Sequence, residues 1–268
     1  MSSSQEYYDN YQSRKEDHYD ELDAKLYDEV FDFSKLYQVD SESVRNFLKT
    51  RLPSDEFENK EVKILDMGTG CGKHYQHLSK WFSVIGVDKS PNLLDLARTR
   101  NPLGEFQRGE LDKGELFKKG NFVGATCLVE TMHLNTEDKM EKILKNVHDW
   151  LRPGGYLFIH IFDPKNLDPG PREFSQYYQE GDIKHALTYF NNFSLDTWWE
   201  KKSEGVYKYC QKYILENGKN RLKILTMYIP QVKVMIQKIL DIGFKLVAVK
   251  DLEKAHIEAF RMYVFQKI

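Results

Sequence analysis

Cysteine is scarce in this chain. The 268 residues hold three, Cys71, Cys127 and Cys210, too far apart for a metal-ligand spacing. That argues against a disulfide framework and a structural zinc site. No metal is expected, and three free thiols suit a reducing, cytoplasmic setting. An excess of charge is lacking too: 39 Lys and Arg against 41 Asp and Glu leave a formal −2. A broad basic footprint for nucleic acid is therefore missing. No apolar run reaches membrane-spanning length, and the opening Met-Ser-Ser-Ser-Gln-Glu has no apolar signal region. The expectation is a protein without a membrane partner. Internal repeats and low-complexity tracts are absent.

What is present is a sizeable core. Apolar residues make up 41% of the chain, and the length suits one α/β domain with a terminal or inserted cap. The pattern is organised around residues 62–74. Val62, Ile64 and Leu65 read as a buried strand that ends at Asp66. Gly68, Gly70 and Gly72 then alternate with small residues, and Tyr75, Leu78 and Phe82 mark one helical face. The glycines allow positive φ and leave no Cβ in a ligand's path. The helix start offers unpaired N–H groups. A tight turn with no ligand is the plain alternative. Against it stands a second buried-strand run, residues 84–87, that ends in Asp88. A carboxylate at that strand tip can accept both hydroxyls of an adenosine ribose.

An acid followed by G-x-G-x-G, with a second acid closing the next strand, resembles the class I S-adenosylmethionine (SAM)-dependent methyltransferases. Asp66-Met67-Gly68-Thr69-Gly70-Cys71-Gly72 and Asp88 carry the resemblance. Leu151-Arg152-Pro153-Gly154-Gly155, similar to the family's turn before strand five, extends it over residues 62–162, and more weakly to the C-terminal end. It implies an α/β fold with a doubly wound, seven-stranded, mostly parallel sheet whose last strand is antiparallel. It implies SAM as cofactor, bound by Asp66, Gly68, Thr69, Gly70, Cys71 and Gly72, by Asp88 and Lys89, and by Cys127, Leu128 and His133 after the fourth strand. Glu110 and Leu111 match the adenine position. The family's usual acid there is Asp, so a solvated surface Glu is the alternative. A nicotinamide-dependent oxidoreductase shares the first corner but has the G-x-G-x-x-G spacing.

Residues 1–38 are polar yet hold Tyr7, Tyr8, Tyr11, Tyr19, Tyr27 and Tyr37. Disordered segments have few aromatics, so a docked helical segment is expected over residues 1–52. It includes an amphipathic helix over residues 41–52 with Val44, Phe47 and Leu48 as its stripe. In the resembled family such a leader folds over the cofactor. Tyr11 and Arg14 are then candidates for the sulfonium and the methionine carboxylate, and Tyr7 and Tyr8 for the acceptor. Packing on the outside of the sheet is the other reading. A linker over residues 53–60 leads into the methyltransferase domain, residues 53–268.

The βα alternation breaks at residue 163. Residues 163–228 read as an insertion of loop, short helices and a hairpin at Asn217-Gly218. This aromatic lid would lie over the strand ends, with Tyr177, Tyr178, Trp198 and Trp199 as acceptor contacts. A helix from Pro230 to Gly243 follows, then strands over residues 244–249 and 260–266. Their linker is too short for a helical crossover, so they should pair antiparallel.

Methyl transfer from a sulfonium is a direct displacement, for which positioning is worth roughly 7–11 kcal/mol of barrier. A base matters only for a protonated acceptor. His133, His160, Glu130 and Asp163, near the ends of strands four and five, are the candidates. His160 could instead point into a helix layer, and Asp163 could cap a turn. The lid rings suit a cationic amine, at about 0.5–2 kcal/mol per contact, but also suit plain packing. The Asn-Pro-Pro-Tyr type of signature and a Pro-Cys nucleophile are both missing, so DNA is disfavoured. A small-molecule acceptor leads, an amine foremost. A protein or RNA acceptor, or SAM binding without catalysis, stays open.

Overall fold

The computed structural model describes residues 19–58, 62–171, 173–252 and 258–268. Tyr7, Tyr8, Tyr11 and Arg14 lie outside them. Three helices come first: α1 (Glu21–Val30), α2 (Ser34–Lys49) and α3 (Ser54–Glu58). Strands and helices then alternate as β1 (Lys63–Met67), α4 (Lys73–Leu78), β2 (Ser83–Asp88), α5 (Pro91–Arg100), β3 (Glu105–Arg108), β4 (Phe122–Cys127), α6 (Glu137–Trp150) and β5 (Leu151–Phe162). Five strands follow: β6 (Gln176–Glu180), β7 (Ile183–Tyr189), β8 (Phe193–Ser203), β9 (Val206–Leu215) and β10 (Asn220–Tyr228). The chain closes with α7 (Val232–Asp241), β11 (Phe244–Lys250) and β12 (Phe260–Lys267).

The main sheet has seven strands in the order β11-β12-β5-β4-β1-β2-β3. β1 to β5 pair in parallel. β12 runs antiparallel to both β5 and β11, so it alone opposes the sheet. Helices cover both faces, and β4 is buried along its whole length. On one face Met140, Ile143, Leu144 and Val147 of α6 meet Leu65, Phe122 and Leu157. On the other, Val44, Phe47 and Leu48 of α2 and Leu78 of α4 meet Ile64 and Phe158. This burial, at about 25 cal/mol per Å² of apolar surface, is the main force holding the layers together. Strand order reverses between β1 and β4. The connections leave their carboxyl ends in opposite directions, which opens a crevice there.

Three expectations are corrected. The amphipathic helix begins at Ser34 rather than residue 41, and ends at Lys49. Its first half carries the fully buried polar Asp40 and Ser41 on the core face, which interrupts the apolar stripe. The linker holds a short helix, α3. The third correction concerns residues 163–205, where the expected short helices give way to strands. Residues 176–203 form β6, β7 and β8, and with β9 and β10 they make a five-stranded antiparallel sheet in the order β10-β9-β8-β7-β6. Its two-residue period is hidden in the sequence because rings occupy both faces. Leu195, Thr197 and Trp199 alternate with Asp196 and Trp198, and Trp198 packs on the far side with Cys210 and Leu222. The β9–β10 hairpin turns at Gly218, φ +76°.

Helix α1 ties the two sheets together. Its Asp20 cap accepts from the Asp23 amide. Asp28 accepts both Arg100 Nη2 bonds, at 2.9 and 2.8 Å, and pairs with Lys73 at 3.1 Å. From the second sheet, Arg221 bonds Asp20 and meets Asp23 at 2.8 Å. Among the described residues no helix is long and apolar enough to cross a membrane.

Candidate active site

The turn after β1 is built by geometry that only glycine tolerates well. Gly68, Gly70 and Gly72 have φ of +66°, +55° and +75°. A Cβ at Gly68 would fall inside the Thr131 side chain, whereas at Gly70 the nearest atom is the Gly68 carbonyl oxygen at 3.9 Å. Gly68 is thus required by the fold, and the space beside Gly70 is open. Asp88, at the tip of β2, borders that space. Its carboxylate accepts the Gly70 amide at 3.0 Å and the Ser90 amide at 2.9 Å.

The crevice is lined by Gly68, Thr69, Gly70, Cys71, Asp88 and Lys89 on one side and by Glu110, Leu111, Leu128 and Glu130 on the other. Asp66, Gly72 and Cys127 stand behind this lining. Asp66 is buried, and its oxygens accept the hydroxyls of Thr69 at 2.7 Å and Thr126 at 2.8 Å. Burial raises its carboxyl above the ordinary range. It braces the turn from below. Lys139 lies 4.0 Å from Glu110 and 3.9 Å from Asp112, a second acid on the lining that the sequence reading passed over.

The N-terminal helices close one end. Tyr19, Tyr27, Phe31, Phe33 and Tyr37 line the crevice, and Tyr19 and Tyr27 meet edge to face at 5.1 Å. Facing them is Glu130, only 9% exposed. Burial raises its carboxyl to about 7, with Lys223 pulling the other way. Lys223, on the inward face of β10, is 3% exposed. Burial lowers its ammonium to about 7. Burial first, and the Glu130 carboxylate next, raise the phenols of Tyr19, Tyr27 and Tyr209. A crevice lined by aromatic rings and a carboxylate suits a cation.

Glu130 also borders a second cavity of about 920 Å³, which shares Phe31, Phe33 and Val129 with the first. That size falls within the roughly 300–1,000 Å³ of small-molecule sites. Trp199 and Tyr177 line it, and Trp199 stacks on Tyr209 at 4.5 Å. Trp198 and Tyr178 do not. They sandwich His185 at 4.9 Å on either side, and Tyr178 donates to Asp196 at 2.8 Å. Neighbours in a strand face opposite ways, so each adjacent aromatic pair contributes one ring to the cavity.

The other candidate bases lie off both linings. His133 is fully buried. The Phe162 amide donates to its Nε2 at 3.2 Å, so its Nδ1–H donates to the Tyr228 carbonyl at 2.9 Å. Burial lowers it to about 4, which keeps it neutral. His160 is buried beside Asp40, 3.1 Å away. Asp163 receives the Lys165 amide in the turn after β5. Of the four, Glu130 alone reaches the crevice.

One residue in this corner is strained. Val129 has φ +57°, the one positive value outside glycine among the described residues. For a β-branched residue this costs on the order of 1–3 kcal/mol.

A family model described as a methyltransferase domain matches residues 64–155, from β1 through the glycine turn to the start of β5. Over these residues the chain carries a methyltransferase domain of the class I SAM-dependent type. A dTDP-3-amino-3,6-dideoxy-alpha-D-glucopyranose N,N-dimethyltransferase of Streptomyces fradiae is 27% identical over 114 residues, 41% of this chain and 44% of that protein. The chain thus spans less than half of that relative. A phosphoethanolamine N-methyltransferase of Plasmodium falciparum is 24% identical over 226 residues, 78% of this chain and 81% of that protein. A SAM-bound amino pentose methyltransferase from Micromonospora echinaspora shares the fold, with a TM-score of 0.65, 16% identity, and coverage of 87% of this chain and 92% of that one. SAM is the family's cofactor. The open space beside Gly70, bordered by the Asp88 carboxylate and the apolar Leu111, fits it.

Proposed function

We propose that the protein transfers the methyl group of SAM to the nitrogen of a small-molecule amine. One observation carries this reading: the buried Glu130 carboxylate, which shares the crevice lining with Tyr19, Tyr27, Phe31, Phe33 and Tyr37 where that crevice meets the second cavity. Bound SAM supplies an electrophilic sulfonium methyl group for direct displacement. Asp88 holds the ribose hydroxyls, and Glu110 and Leu111 flank the adenine. The rings attract an ammonium, and Glu130 takes its proton so that the nitrogen lone pair is available. A carboxylate near 7 is matched to that task at neutral pH. The acceptor's body occupies the second cavity against Trp199 and Tyr177. The names of the two similar enzymes describe amine methylation, which supports the same choice of nucleophile. The three cysteines are free and buried, in keeping with a cytoplasmic location.

The test is methyl transfer from labelled SAM across amines, hydroxy acids, thiols, peptides and RNA. Label on amines is expected. Label confined to RNA or peptide would overturn the acceptor class.

A further inference from the structure

The strained Val129 is held by a hydrogen-bond chain whose two central members, His160 and Asp40, line neither cavity. The Val129 amide donates to His160 Nδ1 at 2.8 Å. That nitrogen is therefore bare and the imidazole hydrogen sits on Nε2, which donates to Asp40 Oδ1 at 3.1 Å. Asp40 Oδ2 meets His74 Nε2 at 2.9 Å. Asp40 and His160 are both fully buried. Burial opposes the Asp40 charge, but His160 and then His74 outweigh it and hold the carboxyl below its ordinary value. The Phe260 ring covers His160 at 4.5 Å. Four elements meet in this chain: α2 supplies Asp40, β5 His160, α4 His74, and the exit of β4 Val129. Strain of this kind persists only where the surroundings over-determine it.

The geometry points to His160, with its tautomer fixed by Asp40, as a positioning residue that holds the Val129 amide and thereby sets the Glu130 carboxylate between the two cavities. His160 lines neither cavity. What it controls is the backbone direction one residue before Glu130. The same Asp40 carboxylate grips His74, which lines the cofactor crevice, so both walls of the site are referenced to one buried anion. The inference rests on the reading of Glu130 as the acceptor's base.

Two substitutions divide the roles of the imidazole. His160→Asn offers an oxygen near the Nδ1 position and can keep the Val129 bond. His160→Gln reaches toward Asp40 and leaves the Val129 amide without its acceptor. Four quantities are measured on the full chain: amide hydrogen exchange at Val129, the carboxyl titration of Glu130 by carbon NMR, kcat with an amine acceptor, and SAM affinity by calorimetry. The groups facing Glu130 in that titration are Lys223 of β10, Tyr19 just before α1, Tyr27 of α1, Tyr37 of α2 and Tyr209 of β9.

His160→Gln should speed Val129 exchange and bring the Glu130 midpoint down toward the ordinary carboxyl range by about one unit. It should cut kcat roughly tenfold to a hundredfold while SAM affinity stays within about threefold. His160→Asn should stay near wild type in all of these. If both folded variants leave Val129 exchange and the Glu130 midpoint unchanged, or shift them alike, the positioning role is wrong. If either variant fails to fold, Val129→Gly takes its place. Glycine needs no bond to adopt positive φ but does not hold it, so the Glu130 midpoint should broaden or fall, and an unchanged one contradicts the inference. Exchange and titration need no turnover. A wild type inactive on every amine would therefore sink the amine reading and leave the positioning result standing or falling by itself.

Discussion

Lys223 Nζ lies 3.1 Å from the centre of the Tyr19 ring, so a cation from the second sheet is buried against the N-terminal segment. The folded protein disfavours that charge, lowering Lys223 from 10.5 to about 7 through burial. Below about pH 7 both folded and unfolded chains hold the proton, and folding carries the full cost of burying it. Between about 7 and 10 the unfolded chain binds more protons, so this group's contribution to stability rises with pH. Lys223→Met should therefore be more stable than wild type at pH 6–7, with the gain shrinking toward pH 10. Thermal unfolding across that range checks it, and a gain that grows with pH would contradict the assignment.

Glu130 has the opposite consequence. Its folded value is raised from 4.5 to about 7, so the stability it contributes is present below about 4.5 and is lost as pH rises through 7. Activity should run the other way, with kcat/KM increasing through about pH 7 as the carboxylate forms. Glu130→Gln should flatten both limbs and reduce turnover by about 10²-fold. An unchanged pH–rate profile in the Gln variant would remove Glu130 from the reaction.

The positions of two acids and of the glycine turn were legible because chain direction changes there: Asp66 is the penultimate residue of β1, Asp88 ends β2, and the glycines hold the turn that follows β1. The antiparallel β12 could be read from its short linker. The second sheet could not, since Trp198 and Trp199, or Tyr177 and Tyr178, give no alternation when rings face both ways. Nor could the candidate bases be ranked. His133, His160, Glu130 and Asp163 share one sequence neighbourhood, and only packing separates the crevice-facing Glu130 from the core-facing histidines. Lys223 left no mark among the many lysines, because its burial depends on Tyr19 of the distant N-terminal segment covering it.

Asp88 and the glycines separate binding from folding. Asp88→Ala should weaken SAM binding by about 1.5–3 kcal/mol, the worth of a charge-assisted hydrogen bond. Gly70→Val should abolish it by occupying the open space, and Gly68→Ala should chiefly destabilise the fold, since its Cβ would strike Thr131. Calorimetry beside thermal unfolding checks all three; SAM affinity unchanged in Asp88→Ala would remove the ribose assignment.

Neighbouring tryptophans should behave differently. Trp199→Ala opens the acceptor cavity and should raise the acceptor KM, with SAM affinity unchanged. Trp198→Ala breaks the outer stack with His185 and should lower thermal stability by about 3–5 kcal/mol at most, with KM little altered in the folded protein. Equal KM effects from the two would contradict the division of faces.

In the proposed reaction the methyl group of SAM passes to nitrogen beside Glu130. The direct measurement is single turnover with SAM carrying a carbon-13 methyl group and an amine acceptor, followed by carbon NMR of the product. A methyl resonance bonded to nitrogen is expected, formed by wild type and strongly slowed in Glu130→Gln. A methyl bonded to oxygen or sulfur, or an N-methyl formed equally fast by both proteins, would contradict it.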